Sequence, residues 1–193
     1  MIEVANGWLV VERWSWRTEP LDAWLRSLWL SLLSNLDAGV GEEAMFRGYL
    51  LTGLNKAWRK WIGLIVMAIP FAAVHLMVSG AQETHWLPFT VLLCLPGIVL
   101  GYAYLRAGSL WLPIGIHFTW DLAYDLLNLT GGPHQGLFGA VTRQQGPEWF
   151  VGTSYGIEVG LAGVVVAALV WIGAWGWTYR RNRQVQGQPL MVA

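Results

Sequence analysis

The stretch WIGLIVMAIPFAAVHLMVS, residues 61–79, contains no charged residue and one ionisable side chain, His75. A helix that crosses a membrane needs about 20 consecutive, mostly apolar residues, and this stretch supplies them. Two further stretches read the same way. Residues 86–105 carry no charge, and residues 156–179 carry only Glu158 before the basic run Arg180-Arg181-Asn182-Arg183. A fourth, residues 109–129, is apolar but interrupted by His117, Asp121, Asp125 and Asn128. Ser109 suits the N-cap of that helix, and Pro113 falls early enough to be tolerated.

Composition agrees with a membrane chain. Of the 193 residues 55% are hydrophobic and 12% charged, against about 25% charged in an ordinary soluble domain. Fourteen Trp residues suit membrane–water interfaces, where the ring lies among headgroups with its N–H in water. The net charge is zero, so the basic stripe that marks nucleic-acid binding is missing. Cys94 is the one cysteine and can form neither an internal disulfide nor a cysteine metal site. The N-terminal sequence mixes acidic, basic and Trp residues and is not expected to be a cleavable signal peptide.

Two less hydrophobic helices are expected ahead of these four. Leu21, Leu25, Leu28, Leu32 and Leu36 share one side of a helix over residues 21–36, and residues 41–58 form the second. The expected fold is therefore all-α, a polytopic transmembrane bundle of about six membrane helices in one domain over residues 1–193. Its motif-bearing core covers about residues 38–130, with an extramembrane loop at 130–154 and a basic tail at 180–193. Six crossings with both termini inside gather Arg13, Arg17, Lys56, Arg59, Lys60, Arg106, Arg180, Arg181 and Arg183 on the cytoplasmic side and leave only Arg143 outside.

Charged groups at a helix centre in a membrane cost about 2.5–3.5 kcal/mol each on insertion scales, so they face the bundle interior and meet partners there. Glu42, Glu43, Arg47, Asp121 and Asp125 are such groups. Glu43 and Arg47 are spaced i,i+4 with the acid first, the better order for an ion pair. Glu42 is rotated about 100° from Glu43, which leaves its carboxylate available. His117 and Asp121 are again i,i+4, and His75 projects from an apolar helix in which Pro70 is expected to introduce irregularity by freeing the Val66 carbonyl. Taken singly, the ion pair reads as structural and each histidine as an interhelical hydrogen bonder. Their joint occurrence at membrane depth points to a site. Asp125 and Asn128 lie near the loop end of their helix and read as interfacial.

Three phrases carry a resemblance. Glu42-Glu43-Ala44-Met45-Phe46-Arg47-Gly48 matches EExxxR, Phe71-Ala72-Ala73-Val74-His75 matches FxxxH, and His117-Phe118-Thr119-Trp120-Asp121 matches HxxxN/D. In this order on successive apolar helices they resemble the CPBP family, the type II CAAX prenyl endopeptidases and their prokaryotic relatives, including proteins of bacteriocin processing and self-immunity. The resemblance implies a glutamate-dependent intramembrane protease, multi-pass in a prokaryotic cell membrane, acting on a membrane-associated peptide or protein. It makes Glu42 the base that activates water with help from His75, sets His117 and Asp121 at the oxyanion, and gives Glu43 and Arg47 an orienting role. Where the family often has Asn, this chain has Asp121, whose expected role is to orient His117. The N-terminal region is also shorter than in many relatives.

The sequence leaves other chemistries less support. No cofactor is required, although a divalent metal such as zinc could lie between Glu42, His75 and His117; the HExxH helix of zinc proteases is missing. Ser154 has no evident partner for serine chemistry, and Tyr124-Asp125 lacks the GxGD companion of aspartyl intramembrane proteases. The competing class is an inactive membrane scaffold, chaperone or immunity protein that keeps the polar cluster for packing. A proton relay is a third reading.

Overall fold

A computed structural model of the chain describes residues 2–4, 9–13, 20–78, 86–127, 141–144, 146–151 and 160–186. Two short strands come first, β1 (Ile2–Val4) and β2 (Leu9–Arg13), paired antiparallel. The helices that follow are the body of the fold. They are α1 (Leu21–Glu43), a π-helical segment (Ala44–Leu51), α2 (Thr52–Ala57), α3 (Lys60–Val78), α4 (Trp86–Ala107) and α5 (Trp111–Leu127). A third strand, β3 (Val141–Gln144), adds to the other side of β2, and a short α6 (Glu148–Val151) precedes the long α7 (Leu161–Gln186).

The helical class stands, with the small sheet as an addition. Val, Leu and Ile in β1 and β2 suit strands, but runs of three and five residues are too short to show a clear period. Two of the described helices are long and apolar enough to cross a membrane, Lys60–Met77 in α3 and Leu161–Arg181 in α7; α4 carries a shorter apolar stretch, Leu93–Ala107.

The first two expected helices are a single run. α1, the π-helical segment and α2 follow one another without a break from Leu21 to Ala57, and the chain first turns extended at Trp58 (φ −132°, ψ 171°). Gly39, which falls where a boundary was expected, is a packing glycine. A Cβ there would lie 3.4 Å from the backbone nitrogen of Phe118, so its absence lets α1 approach α5 closely. α3 likewise runs unbroken through Pro70.

The turn between α4 and α5 brings the third motif home. Gly108 adopts φ +64°, a left-handed conformation that glycine takes at no steric cost and that commonly ends a helix. Ser109 then accepts a hydrogen bond from the backbone N–H of Trp111 at 3.3 Å, one residue ahead of the N-cap place expected of it, since α5 begins at Trp111. The apolar core lies where the π-helical segment meets α3 and α4, with Phe46, Leu51, Leu64, Met67, Phe71 and Tyr102 buried together.

Candidate functional site

Glu43 and Arg47 anchor the site. Arg47 Nη1 donates to Glu43 Oε1 at 2.7 Å, and both side chains have 0% exposure. Nη2 donates to the Gly97 carbonyl of α4 at 3.1 Å, and the guanidinium carbon stands 4.5 Å from the centre of the Phe71 ring. The charge is thus held by a carboxylate, a carbonyl and an aromatic face, which together replace the water it has lost. The expected i,i+4 pair is present, and it lies across the start of a π-helical segment. Such segments are rare and concentrate at functional sites. Thr52 Oγ1 donates to the Arg47 carbonyl at 3.0 Å near the segment's end.

Glu43 has a second duty. Its Oε1 also lies 2.8 Å from His117 Nδ1. A carboxylate accepts, so His117 donates from Nδ1 and its Nε2 is turned toward Glu42 at 3.8 Å and Asp121 at 3.5 Å. His75 is fixed in the same sense. Its Nδ1 donates to the Phe71 carbonyl at 2.8 Å, a bond back along its own helix, and its Nε2 stands 3.6 Å from Glu42 Oε2. Two imidazoles on different helices therefore present Nε2 to one carboxylate oxygen.

All six expected residues, Glu42, Glu43, Arg47, His75, His117 and Asp121, come together. Glu42 and Glu43 are divided as their helix angle suggests: Glu43 is fully buried with Arg47, while Glu42 is 31% exposed between the histidines. One expectation shifts. Asp121 stands 3.5 Å from His117, and the shorter, bonding contact comes from Glu43. Asp125 lies apart from this cluster and accepts from Ser31 at 2.6 Å and Asn35 at 2.8 Å, both on α1. Asn128 and Ser154 fall outside the described residues; Ser154 is the centre of Gly152-Thr153-Ser154-Tyr155-Gly156, a GxSxG pattern.

Phe71, quoted above only as the first residue of the FxxxH phrase, and Gly97 have roles that the sequence reading did not assign. Phe71 places its ring against Arg47 and, 4.3 Å away, against the His75 ring, and its carbonyl sets the His75 tautomer. The i,i+4 spacing of Phe71 and His75 was the available signal. Gly97 had none, because it acts through a backbone oxygen 50 residues from Arg47.

His75, His117 and Asp121 also form the polar wall of a cavity of about 100 Å3 between α3, α4, α5 and α7, lined otherwise by apolar side chains. Glu42 meets both imidazoles without lining this cavity. Among the described residues, no three His, Cys, Asp or Glu side chains are arranged to hold a metal ion. The cluster can take up, hold and pass protons beside an apolar chamber.

Comparison with known proteins bears on what that chemistry serves. Residues 24–123 match the family described as Type II CAAX prenyl endopeptidase Rce1-like. A relative from Escherichia coli, described as an uncharacterized 24.3 kDa protein, is 30% identical over 82 residues, which cover 42% of this chain and 35% of that protein. No solved structure matches.

Proposed function

The chain belongs to the Rce1-like type II CAAX prenyl endopeptidase family, a membrane-associated protease family, and on that premise we propose that it is a glutamate-dependent intramembrane endopeptidase. Its substrate is a membrane-associated peptide or protein. The observation that carries this reading is the convergence of two oriented histidines on one Glu42 oxygen, which is buried and makes no hydrogen bond.

Separations of 3.6 and 3.8 Å exceed a direct hydrogen bond and leave Glu42 Oε2 without a hydrogen bond of its own; the proposal seats the attacking water on this carboxylate. In the proposed step Glu42 takes a proton from that water and its oxygen adds to the scissile carbonyl carbon. Glu42 then returns the proton to the leaving nitrogen as the C–N bond breaks. General acid–base catalysis of this kind contributes about 10²–10⁴-fold.

The two histidines divide the remaining work. His75, with Nδ1–H on the Phe71 carbonyl, keeps a lone pair on Nε2 and steadies the water and Glu42. His117 can donate to the oxyanion from Nε2 only as the imidazolium, since its Nδ1–H stays on Glu43. The Glu43 and Asp121 carboxylates offset that charge. Removing one oxyanion donor costs about 10²–10³ in kcat, and His117→Gln is expected to show that loss with KM little changed in a steady-state assay. A scaffold that kept the cluster for packing would have no reason to bring two oriented imidazoles to a buried Glu42 oxygen that bonds neither.

Two features support a proposal for sidedness. The run from Leu21 to Ala57 is one segment, and β2 and β3 share a sheet. Strands cannot pair across a bilayer, so the N-terminal strands and the α5–α7 connection lie on one side, which supports five crossings in place of six. Lys56, Arg59, Lys60, Arg106, Arg180, Arg181 and Arg183 then share the cytoplasmic side with the C-terminal tail, opposite Arg13, Arg17 and Arg143.

Comparing the membrane proteome of cells that make wild type with that of cells making Glu42→Gln tests the function. Intact substrates accumulating only with Glu42→Gln are expected. Identical peptide populations, with both proteins present at equal levels, would overturn it.

A further inference from the structure

We infer that the end of the bundle where α2, α4 and α7 meet is a binding surface for anionic phospholipid headgroups. Three sets of contacts bring those chain ends together. Thr52 Oγ1 of α2 and the Tyr104 hydroxyl of α4 are hydrogen-bonded at 2.9 Å. Tyr102 of α4 packs against Trp61 of α3 and Trp171 of α7. Arg181 of α7 donates from Nη1 to the carbonyl of Ala107, the last residue of α4, at 3.3 Å. Around this end stand Lys56, Arg59 and Lys60 at the α2–α3 turn, Arg106 on α4, and Arg180, Arg181 and Arg183 on α7, all exposed. They are seven of the chain's twelve Lys and Arg residues, and none of these segments carries an Asp or Glu. Between residues 44 and 120 the only acidic residue is Glu83, which follows the far end of α3, and none follows Glu158.

Aromatic rings, rather than acids, hold two of these arginines. The Arg181 guanidinium carbon lies 5.5 Å from the centre of the Trp177 ring, and that of Arg183 lies 5.0 Å from the centre of the Tyr179 ring. Each pair is spaced i,i+4 on α7, and Tyr179 is stacked in turn on Trp175 at 5.5 Å. An aromatic ring engages a guanidinium through its face, so the N–H donors in the guanidinium plane stay available at its edge. Such an edge offers parallel N–H groups that a phosphate accepts bidentately. The arrangement therefore presents fixed donors and leaves their charge without a carboxylate to neutralise it.

Depth favours a lipid over a soluble anion. The apolar span of α7 ends at Arg181 and the helix continues to Gln186, about 7.5 Å further at about 1.5 Å per residue. The headgroup layer on each side of a bilayer is about 5–7.5 Å thick, so Arg180 to Arg183 stand where phosphodiesters lie. Trp58, Trp61, Trp111 and Trp177 are exposed at the same end of the bundle, and such rings settle at headgroup depth. Clusters of about four to eight basic residues beside a spanning helix bind anionic lipids. Here the phosphate meets the arginine edges while its acyl chains run down the apolar span of α7.

The test measures retained lipid. The full chain is purified in detergent with equal amounts of phosphatidylglycerol and phosphatidylcholine of matched acyl chains, and bound lipids are counted by native mass spectrometry. Wild type is expected to retain phosphatidylglycerol at least about tenfold over phosphatidylcholine. Each basic side chain near a membrane surface contributes roughly fivefold, so Arg180→Gln/Arg181→Gln/Arg183→Gln is expected to lower that preference by about tenfold or more. Lys56→Gln/Arg59→Gln/Lys60→Gln removes charge from the other side of the surface, so one variant reports even if the other does not fold. Equal retention of the two lipids by wild type overturns the proposal without any variant, and so does a wild-type preference in either folded triple variant. Two further arms identify the source of the negative charge. Glycerol 3-phosphate, a headgroup without chains, is expected not to displace phosphatidylglycerol at equal concentration; displacement overturns the lipid in favour of a soluble anion. Binding of a soluble acidic peptide through the same arginines, with no preference for phosphatidylglycerol, overturns it in favour of a protein partner.

Discussion

Arg47 carries a full charge at 0% exposure, held by Glu43, the Gly97 carbonyl and the Phe71 ring. Removing one partner of a buried ion pair strands the other, at about 3–5 kcal/mol. Arg47→Met is therefore expected to lower the thermal unfolding temperature in detergent markedly, because it leaves Glu43 facing only His117. Phe71→Leu removes the aromatic face and is expected to cost about 2 kcal/mol or more, the range of a desolvated cation–π contact. An Arg47→Met protein that melts with the wild type would contradict the anchoring role. The Glu43–Arg47 pair was legible in the sequence because both partners lie on one helix, four residues apart. Glu43's bond to His117 was not, since 74 residues separate them and only the packing of α1 on α5 joins them. Sequence points to Asp121 as the residue orienting His117 for the same reason: its i,i+4 spacing is visible, whereas the shorter contact from Glu43 arises across helices.

Between α1 and α5 the packing depends on more than Gly39. Asp125 on α5 accepts from both Ser31 and Asn35 on α1, and Asn35 also donates to Ser31 at 3.2 Å. A hydrogen bond to a charged group contributes about 1.5–3 kcal/mol, reduced here because the groups are partly exposed. Ser31→Ala and Asn35→Ala are each expected to destabilise the protein by about 1 kcal/mol, and the double variant by less than the sum, because both bonds end on one carboxylate. Strict additivity in unfolding measurements would mean the clasp does not act as a unit. Helix existence was readable from apolar stretches and from the leucine spacing of α1. The joining of residues 21–57 into one run was not readable, because Gly39 looks like a boundary until its partner Phe118 is known. The π-helical segment had no signal either, since apart from Gly48 its residues have ordinary helix propensities.

For the molecule as a whole, the β2–β3 pairing supports the proposed five crossings, and period-based reading could not find strands this short. In sealed vesicles of a Cys94→Ala background, single cysteines placed at Glu12 and Arg143 are expected to label from one face and a cysteine at Arg183 from the other. Labelling of Glu12→Cys and Arg183→Cys from the same face would restore an even number of crossings. The membrane class was plain from composition, while the sidedness depended on a sheet that composition does not show. The catalytic account also belongs to this scale, because Glu42, His75 and His117 come from three helices and act only if the whole bundle aligns them. Its central claim is that adjacent glutamates have separate duties, Glu42 in catalysis and Glu43 in support. The direct measurement sets Glu42→Gln beside Glu43→Gln, recording the peptide cleavage rate and thermal unfolding of each in the same detergent. Glu42→Gln should unfold with the wild type and lose about 10²-fold or more in rate, while Glu43→Gln should unfold at a clearly lower temperature. Wild-type cleavage by folded Glu42→Gln would contradict the account.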